Sequence, residues 1–176
     1  MSQMRNDEDD DTRDRIVVFL RHGMPEDPRD GLADEERPLT PEGHAEMMKL
    51  AAGVERAFPR AQMIYSSTLV RAVQTALWIS KAYRSRIKVN ETSALTPQSP
   101  PREFAELLRT ISERRIIVVG HEPNLTANML ALCGLTNAGS RLALQRGGCY
   151  AVRIHGEEEG VLEWLLSPRI LRKLAE

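Results

Sequence analysis

Three short apolar runs in this chain end in polar residues of unusual type. Ile16-Val17-Val18-Phe19-Leu20 leads into Arg21-His22-Gly23, Met63-Ile64-Tyr65 into Ser66-Ser67 with Arg71 one turn further on, and Ile116-Ile117-Val118-Val119-Gly120 into His121. Apolar, β-branched runs of this length are the mark of strands buried on both faces of a sheet. Parallel strands deliver their carboxyl ends to one side of a sheet, which is where ligands of such folds bind. Two arginines and two histidines, far apart in the chain, are therefore expected to face one point. That set suits a dense anion. Phosphate is the natural one, because the planar guanidinium fork matches two of its oxygens.

Taken singly, each of the four is ordinary. A lone histidine at a strand end is more often a satisfied polar residue than a catalyst, and Arg71 alone fits the outer face of an amphipathic helix. The constellation changes the reading, because chance placement of all four at the carboxyl ends of one sheet is improbable. His44, early in a helix, and His155, in a hairpin turn, have no such context and are expected to be solvated. No His-Glu-x-x-His or comparable spacing is present, which argues against a zinc site. Cys133 and Cys149 lie in different segments, and are read as small buried apolar residues and not as a disulfide or a zinc ligand pair.

The elements that must position these groups are legible between the strands. Thr40-Pro41-Glu42-Gly43 supplies a helix start, with Thr40 as N-cap and Pro41 at the first helical position, and the helix is expected to run to about Ala57, ahead of Pro59. Leu69, Val70, Val73, Leu77 and Trp78 mark a second helix reaching Ala82. Ile87-Lys88-Val89 reads as a third strand, followed by a loop with Pro97, Pro100 and Pro101, a helix over roughly 102–112, and, after the fourth strand, a helix from Pro123 to about Cys133. Residues 24–38, with Pro25, Pro28, Gly31 and Pro38, read as an irregular loop. Gly148 to Ile154 and Val161 to Leu166 read as a hairpin at a sheet edge. The alternation implies an α/β three-layer sandwich: a mainly parallel central sheet with an antiparallel strand, and helices on both faces.

With 176 residues the chain suits a single domain, read as an acidic disordered tail over 1–14 and the domain over 15–176. The net charge of −1 is uneven, since residues 1–14 hold six acids against Arg5 and Arg13, leaving a weakly cationic body. Scattered basic residues and an aromatic content of 5% give no nucleic-acid footprint. No apolar run approaches a bilayer span, and the polar, acidic start is no signal peptide, so a cytoplasmic location and no membrane partner are expected.

The motifs resemble those of the histidine phosphatase superfamily. They are Arg21-His22-Gly23, Arg37-Pro38-Leu39-Thr40-x-x-Gly43, Ser66-Ser67-Thr68-Leu69-Val70-Arg71-Ala72-Val73-Gln74-Thr75-Ala76, Leu95-Thr96-Pro97 and Gly120-His121-Glu122-Pro123-x-Leu125. In order and separation, over about residues 15–168, they are most similar to the short SixA-type phosphohistidine phosphatases. The resemblance implies that His22 is the nucleophile and becomes a phosphohistidine intermediate, with Arg21, Arg71 and His121 lining the phosphate pocket and no metal or other cofactor. Physical chemistry is consistent with those roles: flanking guanidiniums push His22 toward the neutral form a nucleophile needs, and a protonated His121 with two arginines replaces a metal's charge. A helix beginning at Pro123 is expected to add N-terminal N–H groups to anion binding.

One departure from the family pattern narrows the substrate. Relatives that cleave phosphate esters present a carboxylic acid after the third strand, where this chain reads Ser93-Ala94-Leu95-Thr96-Pro97. A phosphoramidate leaves with less protonation than an alkoxide, so the missing acid favours an N–P bond. Glu91, Glu103 and Glu122 are the substitutes nearest in sequence, and for each the surface-carboxylate reading is the better one. The expected partner is thus a phosphohistidine-bearing protein acted on by a monomer. A phosphatase of small phosphate esters or nucleotides, and a noncatalytic module that binds a phosphorylated ligand, are the alternatives. A mutase would need a capping insertion that the chain is too short to offer.

Overall fold

The computed structural model describes residues 14–135, 142–156 and 159–176. Six strands form one sheet: β1 (Asp14–Arg21), β2 (Met63–Ser67), β3 (Val89–Thr92), β4 (Arg115–Gly120), β5 (Cys149–His155) and β6 (Val161–Leu166), in the spatial order β3-β2-β4-β1-β5-β6. β3, β2, β4 and β1 are mutually parallel. β5 runs antiparallel to both of its neighbours, so it alone points against the rest. Val17, Val18, Phe19 and Leu20 are wholly buried, as a strand covered on both faces requires.

Alternate side chains of the sheet feed two cores. Val18, Leu20, Ile64, Ile117 and Val119 pack under α1 (Pro41–Ala57), α2 (Val70–Ala82) and α5 (Pro168–Leu174). Val17, Phe19, Ile116 and Val118 pack under α3 (Pro101–Thr110) and α4 (Asn124–Leu132). The period of two along each strand assigns each residue to one core. This is the three-layer α/β sandwich expected from the sequence.

Several local expectations hold to the residue. Thr40 caps α1 with its hydroxyl accepting from Gly43 N at 2.9 Å, and Pro41 is the first helical residue. A Cβ at position 43 would collide with the carbonyl oxygen of Met24, which explains a glycine in the first turn. Others are corrected. The third strand is Val89–Thr92, two residues later than the apolar run suggests, because its register is set by pairing with Ile64–Ser67 of β2. Pro123 is the N-cap of α4 and not its first turn. The short α5, capped by Ser167 accepting from Ile170 N, was not foreseen.

Of the expected tail, residues 1–13 lie outside the described residues, and Asp14 belongs to β1, where its buried carboxylate faces His155 at 2.6 Å and Arg153 at 3.5 Å. His155 is therefore paired at the end of β5 and not merely solvated. His44 is likewise engaged, accepting at Nδ1 from the indole N–H of Trp78 at 2.9 Å. Cys133 and Cys149 are both free thiols, Cys149 fully buried and Cys133 partly so.

Candidate active site

Strand register brings the polar ends together. Arg21 of β1 sits opposite Gly120 of β4, and Ser66 of β2 opposite Val119, so His22, His121 and Ser67 emerge side by side. The rings of His22 and His121 are 4.8 Å apart between centroids, and both side chains are buried. Gly23 completes the first motif for a steric reason: any side chain there would meet the Cγ of Met47 on α1 at 2.6 Å. Its N–H is held by the Thr75 hydroxyl at 3.1 Å, which ties the loop after β1 to α2.

His22 donates from Nδ1 to the carbonyl of Gly23 at 2.7 Å. A carbonyl can only accept, so the proton is on Nδ1 and the Nε2 lone pair is free. Burial first, then Arg71, Arg21 and Arg146, outweigh the Gly23 bond and lower the His22 pKa to about 4. His121 meets the Ser67 hydroxyl through Nε2 at 2.9 Å. Burial, with His22 and Arg71 adding to it, lowers its pKa to about 3. With no anion bound, burial beside like charges keeps His121 neutral at neutral pH, in place of the protonated form expected for it.

Arg71, 5% exposed, reaches the site from the first turn of α2. Its Nη1 donates to the carbonyl of Asp34 at 2.5 Å and its Nη2 to the Asp34 carboxylate at 2.8 Å. Two of five guanidinium donors are committed there and three remain. Asp34 belongs to a 3-10 turn (Asp34–Glu36) latched by Arg37, which donates to Asp34 Oδ1 at 2.6 Å and through Nε and Nη2 to Glu26 O. The hydrogen bond from Arg71, then that from Arg37, holds the Asp34 carboxyl below the usual carboxylate range. Asp34 was missed at the sequence level, since nothing in a loop 37 residues from Arg71 signals the pairing.

Arg21 donates from Nη1 to the carbonyl of Leu144 at 2.6 Å. Burial and the neighbouring Arg146 lower its pKa from the ordinary value. Arg21 Nε and His121 Nδ1 are buried and have no hydrogen-bond partner among the described residues. Arg146 was also missed: it lies just before Gly147-Gly148 at the start of β5, outside every motif.

The substitute acids fall out one by one. Glu122 accepts from Thr126 Oγ1 and Leu144 N, both at 2.8 Å, and from Thr126 N at 3.4 Å, and so ties the first turn of α4 to the next loop. Its carboxylate occupies the α4 N-terminus that an anion was expected to use. Glu103 accepts from the Ser99 hydroxyl at 2.6 Å, and Glu91 is exposed on the edge strand. Among the described residues there is no cluster of three or more His, Cys, Asp or Glu side chains arranged to hold a metal.

Known proteins share this fold. The model of the histidine phosphatase superfamily (branch 1) matches residues 17–96. An uncharacterized protein of Picosynechococcus sp. is 27% identical, covering 88% of this chain and 98% of its own. Among solved structures, the protein histidine phosphatase SixA complexed with tungstate superposes with a TM-score of 0.78 at 21% identity, over 89% of this chain and 99% of its own. The SixA protein of Agrobacterium tumefaciens gives 0.73 at 24% identity, over 88% and 98%. A phosphoserine phosphatase of Entamoeba histolytica gives 0.69 at 18% identity, over 89% and 99%. The match to the histidine phosphatase superfamily spans the first half of the domain, from β1 through the turn after β3. The chain's fold is that of the SixA structures, and no helix among the described residues is long and apolar enough to cross a membrane.

Proposed function

We propose that this chain is a metal-independent phosphatase that transfers a phosphoryl group to His22 and then to water, with phosphohistidine in a protein partner as its substrate. The observation that carries the reading is the pair of unpartnered buried nitrogens, Arg21 Nε and His121 Nδ1, beside a histidine whose Nε2 lone pair is free. Arg21 Nε is a pure donor and needs an acceptor oxygen. Ser67 Oγ accepts from Leu69 N at 3.3 Å, which leaves its hydroxyl hydrogen for His121 Nε2 and a proton on His121 Nδ1. His121 then serves as a neutral N–H donor. The three uncommitted donors of Arg71 complete a cradle for phosphoryl oxygens.

In the first step the Nε2 lone pair of His22 forms the N–P bond while the bond from phosphorus to the leaving nitrogen breaks. The leaving imidazole takes its proton from solvent or arrives protonated. In the second step water attacks phosphorus, its proton goes to solvent, and His22 regains its lone pair as inorganic phosphate departs. The family match over residues 17–96 and the fold support phosphatase activity, and the solved structures of this fold include both SixA and phosphoserine phosphatase. What favours N–P over O–P is the carboxyl inventory. Asp34, the one carboxylate bonded to the cradle among the described residues, is held ionised by its arginines and cannot protonate an alkoxide.

The deciding experiment compares kcat/KM for a phosphohistidine peptide with that for aryl and alkyl phosphate monoesters. The phosphohistidine peptide and activated aryl phosphates are expected to outrun alkyl phosphates by roughly 10²–10⁴-fold, the usual contribution of a general acid. Equal rates across the three would identify a proton donor and favour the small-ester alternative. Addition of EDTA is expected to leave these rates unchanged.

The pH profile offers a second check. A nucleophile must be neutral, and His22 in the free protein protonates only near pH 4. The acidic limb of kcat/KM reports the free enzyme. That limb is expected well below the ordinary histidine value of ~6.5, with activity held as pH falls through 6 and lost toward 4. A limb at 6.5 or above would remove His22 from the nucleophile's role.

A further inference from the structure

Arg146 is the cation of this site for which the phosphoryl mechanism has no use. Gly147 N donates to Arg21 O and Arg21 N to Gly148 O, both at 3.0 Å, so residues 147–148 run alongside Arg21 and hold Arg146 one step beyond it. Gly147 has φ of 75°, and a side chain there would meet Leu50 Cδ1 at 2.5 Å, so the course of this loop is fixed. The Arg146 guanidinium lies 2.9 Å from the sulfur of Met24, two residues past His22. Met24 is 41% exposed and Arg146 is exposed too, so the pair forms the outer rim of the pocket on the His22 side.

Three features distinguish Arg146 from the other arginines. Arg71 is buried and bonded to a carboxylate, and Arg21 is part-buried and bonded to a carbonyl. Arg146 touches only a thioether, a weak acceptor, and makes no ion pair among the described residues. Its charge acts on both Arg21 and His22, lowering the pKa of each. A guanidinium held near other cations without a carboxylate is an attachment point for an incoming anion. The phosphoryl group belongs with the buried donors below. A peptide carrying it advances about 3.3 Å per extended residue, so a neighbouring side chain reaches the rim.

We propose that Arg146 binds an acidic side chain next to the phosphorylated residue of a protein substrate, and so selects phosphohistidine in an acidic sequence context. The proposal rests on the phosphohistidine-protein reading and names its substrate class more narrowly.

The test uses three phosphohistidine peptides that differ only in a flanking Glu, Ala or Lys. The full-length wild type is expected to prefer Glu over Ala by roughly 2- to 5-fold, the usual effect of an exposed charge pair at a rim. The preference should lie in KM and shrink as salt is raised. In Arg146→Gln the ratio should fall to near one, and in Arg146→Glu it should invert in favour of Lys. A structural role would slow all three peptides alike and keep the wild-type ratio, which overturns the proposal. So would an equal loss on all three accompanied by weaker tungstate binding, since Arg146 would then belong to the phosphoryl cradle. If the wild type hydrolyses none of them, the functional reading fails on its own. Calorimetric affinities of the same peptides for His22→Ala then still read the flank preference, and its absence there sinks the inference independently.

Discussion

Replacing His22 with alanine is expected to abolish turnover, with a loss on the order of 10⁴-fold or more, while leaving a folded protein that still binds tungstate or phosphate. Loss of a nucleophile acting in a coupled group removes the covalent route and not a fraction of it. The fold should survive because the strand end is held by the main chain: His22 N–H donates to Gly120 O at 3.1 Å whatever the side chain. Anion binding should survive because Arg21 Nε, His121 Nδ1 and Arg71 are untouched. Circular dichroism, tungstate affinity and kcat/KM together form the measurement, with a trapped, acid-labile phosphoryl adduct on the wild type as its positive counterpart. Turnover within tenfold of wild type in a folded, anion-binding variant would end the covalent mechanism.

Arg71→Ala carries the second-largest expected effect, about 2–4 kcal/mol of transition-state stabilisation, or roughly 30- to 1000-fold in kcat/KM. Two contributions act together. The cradle loses a preorganised donor, and the Asp34 carboxylate loses the first-ranked of the two partners that hold it at the pocket edge. Arg71→Lys should recover little, since a single ammonium cannot keep both bonds to Asp34 and still face the phosphoryl group. An unchanged kcat/KM in Arg71→Ala would place Arg71 outside the chemistry.

The core of this site was legible because its members stand at strand ends, where local pattern and sheet topology agree. The run from Ile16 to Leu20 could only be a doubly covered strand, and parallel pairing then sets Arg21 against Gly120. The Thr40 cap was legible for the same reason, being decided within four residues. What could not be read depends on the path of loops. Asp34 meets Arg71 only because Arg37 ties the 3-10 turn to Glu26 O, and Arg146 reaches Met24 only because residues 147–148 pair with Arg21. The charge state of His121 was misjudged because charge was counted without burial, which is the largest influence on that ring. His155 and Asp14 were separated in the reading by a boundary placed one residue late, and β1–β5 pairing joins them.

The bracing of Arg21 has a consequence for how readily this site can be retuned. Glu122 holds Leu144 N, Leu144 O holds an Arg21 nitrogen, and Gly147 and Gly148 hold the Arg21 backbone. Every contact that this loop makes to Arg21 in that chain runs through its main chain. The side chains at 145 and 146 can therefore be exchanged without moving Arg21, whereas a single-residue insertion or deletion between 144 and 148 would shift it. On the proposed reading, substrate preference would drift by point substitution at the rim while Arg21 stays fixed, and a library randomised at 145 and 146 is the place to redirect the protein toward a differently charged partner.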